Sequence, residues 1–333
     1  MKKFSYLILL GLVSSFLMFS SCKKDSDDPV AINESEVLAT FLESADSPLG
    51  KDFVNTDMPT LIAASDVRSL QLTNQIYIMD IRGAADFAAG HIEGAVNVAY
   101  ADIITHIKAK DLTPFTKVAL VCYSGQSASY AASILRLLGY EKVFAMKFGM
   151  ASWNETFAGS WNNNIGNNFA TQFTAAATAK NPAGDMPKLS TGKSTGAEIL
   201  EARANTLIAE GFTPASVTSA NLFASLANYY IVNYWPADQY AAPGHVPGAV
   251  QYTPKADIKL SASLKTLPTD KPVAVYCYTG QTSAFLTAYL RLLGYDAKSV
   301  GFGTNSMIYD IMGEYNMTRF TPTAIMGYPY VIN

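Results

Sequence analysis

Two six-residue segments of this 333-residue chain carry residue types, in the same order, that suit nucleophilic chemistry. They are Cys122-Tyr123-Ser124-Gly125-Gln126-Ser127 and Cys277-Tyr278-Thr279-Gly280-Gln281-Thr282. Each follows a short apolar run, at 118–121 and 273–276, and each opens a helix-like run that closes on Arg-Leu-Leu-Gly-Tyr, at 136–140 and 291–295. A strand, a cysteine, a tight polar turn and a helix hold one sulfur over a ring of backbone N–H groups. Such a ring stabilises an anion, and the helix N-terminus adds partial positive charge. Both effects favour thiolate over thiol, so each cysteine is expected to serve as a nucleophile near neutral pH. The chain has three cysteines, and with Cys22 assigned elsewhere below, no thiol is left for a disulfide framework or a cysteine-rich metal site. A Cys122–Cys277 bridge is disfavoured, because equivalent positions in separate domains rarely bring Cα atoms within about 7 Å. His91, His106 and His245 are too dispersed for ligand spacing, so neither metal nor cofactor is expected.

The first residues have a different purpose. Lys2 and Lys3 form a basic start, and residues 6–19 are an apolar stretch of secretory length, short for a membrane span. Phe19-Ser20-Ser21-Cys22 follows and resembles the lipobox of bacterial lipoproteins. That resemblance implies cleavage before Cys22 and a lipid on it. An ordinary secretory signal with an incidental cysteine is the plainer alternative. Residues 23–28 are charged or polar throughout and read as a solvated tether. The expected location is the bacterial cell envelope, on the periplasmic or surface side, with the membrane held through Cys22. Removing residues 1–21 moves the side-chain balance from −3 to −5, which argues against nucleic acid as a partner.

The elements that must position the two cysteines are themselves duplicated. Residues 78–82 correspond to 231–235, Gly90-His91 to Gly244-His245, and Cys122 to Cys277, at offsets of 153, 154 and 155. A two-fold repeat of this length means duplicated domains. Strand-like runs at 76–81, 96–98, 118–121 and 143–146 alternate with helical patterns, and 229–234, 250–252 and 273–276 repeat them. Helices are expected at 127–138 and 283–293, stopped by Gly139 and Gly294, and a further helix leads each copy, at 34–45 after an Asn33 cap and at 197–210. The alternation predicts an α/β fold: two tandem domains, each a mainly parallel sheet with helices on both faces. The chain is long enough for two cores of ordinary size. The division is 1–21 leader, 22–32 tether, 33–155 first domain, 156–195 irregular connection and 196–333 second domain. The connection carries Trp161, Phe169 and Phe173, which are expected to pack back onto the domains.

Asp80-Ile81-Arg82, then Asp86-Phe87-Ala88-Ala89-Gly90-His91-Ile92-Glu93-Gly94-Ala95, then a strand ending in the Cys122 hexapeptide resembles the rhodanese (sulfurtransferase) domain. The second copy resembles it more loosely. The resemblance implies a cysteine that takes a sulfane sulfur from a small donor, forms a persulfide and passes the sulfur to a thiol or other thiophilic acceptor. Cys122 and Cys277 would be the nucleophiles. Backbone N–H groups of 123–127 and 278–282 would hold the outer sulfur, with Gly125 and Gly280 permitting the turn. Ser127 and Thr282 would donate a hydroxyl or cap the following helix. Asp80 and Arg82 would brace the loop as a charged pair, and His91 and His245 would support the fold rather than the chemistry.

The second copy has Asn233 and Trp235 where the first has Asp80 and Arg82, so Cys122 is expected to be the more active site. Many family members carry a basic loop residue, whereas Tyr123, Gln126, Tyr278 and Gln281 are neutral. Gln126 and Gln281 would then offer a donor only amide dipoles, favouring polysulfide or a persulfide over thiosulfate. Related phosphatases end a longer loop in an arginine that clamps phosphate, and neither loop here has one. A persulfide carrier without rapid turnover is the alternative function.

Overall fold

A computed structural model describes residues 32–332. The leader, Cys22 and nearly all of the tether lie outside the described residues. In the first half, β1 (Leu61–Ile62), β2 (Ile76–Asp80), β3 (Val96–Asn97), β4 (Lys117–Val121) and β5 (Val143–Met146) form a sheet in the order β1-β5-β4-β2-β3. In the second half, β6 (Ser216–Val217), β7 (Tyr230–Asn233), β8 (Val250–Gln251), β9 (Val273–Tyr276) and β10 (Ala297–Val300) take the equivalent order β6-β10-β9-β7-β8. Strand pairing is parallel throughout both sheets. This is the α/β architecture the alternation predicts. The central β4 and β9 are apolar without alternation because helices cover both faces, and Val118 to Val121 are wholly buried.

Each cysteine loop runs from a central strand into a long helix, Gln126–Leu137 or Gln281–Leu292. The helices begin earlier than their sequence pattern suggests, with Gly125 and Gly280 at the N-cap in left-handed conformation. Ser127 and Thr282 therefore stand inside the first turn, which removes capping, one of the two roles expected of them. Gly139 and Gly294 follow the C-caps with positive φ, as helix stops do. The leading helices are Glu34–Glu43, whose Asn33 cap accepts from the N–H of Ser35 and Glu36, and Gly196–Glu210, capped by Thr195.

The two halves share one interior. The helices Gln126–Leu137 and Gln281–Leu292 pack together, and Ser133 Oγ donates to the Phe285 carbonyl (2.8 Å). One apolar cluster contains Leu120, Ala131 and Leu135 together with Val275, Phe285 and Leu290. The length of the chain suggested two cores; the structure merges most of them, because the apolar faces of the two loop helices cover each other. The leading helix Glu34–Glu43 also lies on the second half, where Ser35 Oγ donates to Leu293 O (2.6 Å) and Lys265 pairs with Glu36 (2.6 Å).

Each sheet lies within the bounds drawn at 33–155 and 196–333, but contacts cross between them. The end of the chain returns to the first half, where Trp153 Nε1 donates to Pro329 O (2.8 Å) and Val331 pairs with His91. In the 156–195 connection, Trp161 is fully buried, Phe169 stacks on Phe223 at 4.0 Å, and Thr174 forms a bridge with His245.

Candidate active site

Parallel register places Asp80 opposite Val121 and Asn233 opposite Tyr276. Each cysteine follows one residue later, at the carboxyl end of its sheet, where open α/β sheets form their crevices. Cys122 is 5% exposed and Cys277 3%, and both are free thiols.

The N–H of Gly125 donates to Cys122 Sγ (3.1 Å), and that of Ala128 approaches it at 3.4 Å. In the second loop the N–H of Ser283 approaches Cys277 Sγ at 3.3 Å, and the Ser283 hydroxyl lies 3.6 Å from the sulfur. Of the N–H groups expected at 123–127 and 278–282, only that of Gly125 lies at its cysteine sulfur; Ala128 and Ser283 each stand one residue beyond the expected segments. Ser283, which is also hydrogen-bonded to Ser299 Oγ (2.7 Å), is a sulfur neighbour that the hexapeptide pattern did not single out. Its counterpart in the first copy is Ala128, which has no hydroxyl to offer its sulfur.

Each loop is backed by a second turn. Met150 N–H donates to Cys122 O (2.8 Å) and Ala151 N–H to Tyr123 O (3.1 Å). Thr304 and Asn305 do the same for Cys277 O (3.0 Å) and Tyr278 O (3.2 Å). Trp161 Nε1 donates to Ser124 O (3.2 Å). In the second loop, the Thr279 hydroxyl approaches the Gln281 N–H at 3.3 Å and tightens the turn.

Below the first loop, Arg82 and Asp80 form a buried bidentate ion pair, with Nη2 at 2.6 Å from Oδ2 and Nε at 3.0 Å from Oδ1. Nη2 also donates to Gly90 O (2.7 Å), so the pair fixes the Gly90-His91 turn. The guanidinium lies 5.0 Å from the centre of the Tyr123 ring. In the second copy Trp235 occupies the corresponding place and stacks on Tyr278 at 5.3 Å, while Asn233 donates to the Tyr276 hydroxyl (2.8 Å). An aromatic plate thus replaces an ion pair under an equivalent tyrosine. The Tyr278 hydroxyl donates to Gln239, and burial pushes its pKa up to about 12. Burial, with Asp86 nearby, also raises that of Tyr123. Both phenols stay protonated at working pH, so neither is a base.

His91 Nδ1 donates to Phe87 O (2.9 Å) and its ring stacks on Phe87. His245 stacks on Tyr240, and its two nitrogens face the carbonyls of Tyr240 (2.8 Å) and Ala176 (3.0 Å). These contacts hold loops in place. Among the described residues no group of three or more His, Cys, Asp or Glu is placed to hold a metal ion.

The glutamines depart most from expectation. Gln126 is 4% exposed and Gln281 wholly buried. Gln126 Oε1 accepts from Phe302 N–H (2.9 Å) in the second half, and Gln281 Oε1 accepts from Phe148 N–H (3.0 Å) in the first. They do not line a donor site, because each amide is committed to the opposite domain. Phe148 and Phe302 both have positive φ, and both rings pack edge-on against Trp161. A repeated Phe-Gly at 148–149 and 302–303 was the available signal for this arrangement.

Both cysteine loops fall within matches to one family model. The family model for the Rhodanese-like domain matches residues 63–156 and 223–307. The thiosulfate sulfurtransferase GlpE of Pseudomonas fluorescens (strain SBW25) is 36% identical over 80 residues, covering 24% of this chain and 72% of that protein. GlpE of Pseudomonas aeruginosa is 31% identical over 96 residues, covering 29% and 84%. Among solved structures, SseA from Escherichia coli, described under 3-mercaptopyruvate sulfotransferases, is 18% identical with a TM-score of 0.27, covering 72% of this chain and 98% of that one.

Proposed function

The chain belongs to the rhodanese-like domain family, and from that premise we propose that it moves a sulfane sulfur through a cysteine persulfide. The observation that carries this reading is the aim of backbone N–H groups at both sulfurs, from Gly125 and Ala128 in one loop and Ser283 in the other. A thiolate in that setting attacks the outer sulfur of the donor. The donor's S–S bond breaks, and the electron pair leaves with sulfite from thiosulfate or with a thiolate from a persulfide. The loop now holds a cysteine persulfide whose terminal sulfur is anionic. A thiophilic acceptor then attacks that sulfur, and the cysteine departs as thiolate. No proton need be taken by a side-chain base, in keeping with histidines committed to loop carbonyls.

Polysulfide or a small persulfide is the preferred donor in this reading, because the loop side chains are uncharged and the guanidinium beside Tyr123, that of Arg82, is neutralised by Asp80. We place the protein in the bacterial envelope with lipid on Cys22. Intact protein exposed to a sulfane donor should gain one sulfur on the Cys122 peptide, seen by mass. Cys122→Ser should lose that adduct and most of the turnover, and full turnover in the Cys122→Ser, Cys277→Ser double variant would overturn the proposal. Cys22→Ala should move the protein from the detergent phase to the aqueous phase.

A further inference from the structure

We infer that Gln126 and Gln281 are positioning residues that act in trans, each setting the geometry of the cysteine loop in the opposite domain. Gln281 makes two contacts with the first loop. Its Oε1 accepts from Phe148 N–H (3.0 Å), and its Nε2 approaches Gly125 O at 3.4 Å. Gly125 is the residue whose N–H is aimed at Cys122 Sγ. Phe148 precedes Gly149 and Met150, and the Met150 N–H holds the Cys122 carbonyl. One buried amide from the second domain therefore fixes both supports of the first sulfur.

Gln126 reciprocates by accepting from Phe302 N–H (2.9 Å), next to Gly303 and Thr304, whose N–H holds Cys277 O. Its own Nε2 is steadied by Ser124 Oγ (3.1 Å). Phe148 and Phe302 sit at φ values of 63° and 59°, a region that a bulky residue occupies only when its surroundings over-determine it. In each case the opposite glutamine accepts the N–H of that residue. The contact is too close for any substituent. A Cβ on Gly125 would lie 2.3 Å from Gln281 Nε2, and one on Gly280 would lie 2.5 Å from Gln126 Oε1. Neither domain holds a complete loop by itself, and the two cysteines are coupled through these amides.

The inference rests on Cys122 and Cys277 being the reacting groups, but its test needs no sulfur transfer. Gln281→Met keeps the volume and removes both amide contacts. In a Cys277→Ser background, carbamidomethylation of Cys122 by iodoacetamide is followed by peptide mass across a pH series. The expected result is alkylation roughly five-fold slower at neutral pH, the effect of about one lost hydrogen bond, with the rate profile displaced to higher pH. An unchanged rate, or a uniform slowing without displacement, overturns the inference. Gln126→Met read at Cys277, in a Cys122→Ser background, is the reciprocal measurement and decides the question if the first variant fails to fold. Loss of sulfur transfer by the unaltered protein would instead count against the function proposed above and leave this outcome intact.

Discussion

Arg82 and Asp80 are each 1% exposed at the side chain, so neither charge is relieved by water. Breaking such a pair leaves one buried charge without compensation, which typically costs about 3–5 kcal/mol. Arg82→Trp alone should therefore be strongly destabilising in urea unfolding. The second copy shows that the same fold accepts a neutral pair, Asn233 and Trp235, with the indole stacked on Tyr278. The double variant Asp80→Asn, Arg82→Trp should consequently be more stable than Arg82→Trp, even though it carries one more change. Gln126→Arg tests a second residue-scale point. Loop composition alone suggests that a cation there would improve thiosulfate use. The structure predicts the reverse, because the side chain is buried and its oxygen holds Phe302 N–H. That buried donor would lose its partner at a cost of about 1–3 kcal/mol. Melting temperature and sulfur loading from thiosulfate and from polysulfide should all fall together.

Each loop and its backing turn form one unit, and the unit depends on a glycine. A Cβ on Gly149 would lie 2.3 Å from Cys122 O and 2.6 Å from Gly125 N, at φ +60°. On Gly303 it would lie 2.1 Å from Cys277 O, at φ +53°. Gly149→Ala should abolish loading of Cys122, and Gly303→Ala that of Cys277, when each peptide is weighed after treatment with a sulfane donor. Equal loss at both sites in either variant would show that the damage is not local. Much of this unit is legible in the sequence. Apolar runs mark β4 and β9 because burial on both faces leaves no polar position, and the glycines after each loop helix mark its end. The edge strands β1 and β6 are two residues each, too short to show a pattern. In β10, Lys298 interrupts the apolar run that its counterpart Phe144 continues in β5. The glutamines misled for a different reason. A polar residue in a loop suggests exposure, and only a partner donor in the other domain makes its burial favourable. That partner lies 176 residues from Gln126 and 133 from Gln281, beyond the reach of any local pattern.

Over the whole molecule, helices and ends cross between the duplicated halves, so its cohesion should respond to groups at the crossings. Trp161, between Phe148, Phe302 and Phe320, is one such group, and Trp161→Ala should cost about 3–5 kcal/mol in urea unfolding. Glu43 is another, and it adds a dependence on pH. It ends the leading helix of the first half and reaches the second, where its Oε1 accepts from Leu260 N–H (2.8 Å) and faces the Tyr289 hydroxyl at 3.4 Å. Burial pushes its pKa from the ordinary 4.5 up to about 7, with the Asp52 charge adding to the rise and Leu260 N–H and Lys259 opposing it. The folded protein thus binds this proton more tightly than the unfolded chain does. Folding takes up a proton between about pH 4.5 and 7, so the group's contribution is fully present below that window and is lost as pH rises through it. Asp57 acts in the opposite sense, since its pairing with Lys51 lowers its pKa below 3.8, and its loss of stability on acidification lies beneath the Glu43 window. Glu43→Gln mimics the protonated form at every pH. Unfolding free energy measured by urea across the window should therefore decline with pH in the unaltered protein and decline less in Glu43→Gln. Parallel curves for the two proteins would mean that Glu43 ionises in the folded state as readily as it does in water, and that this crossing does not sense pH.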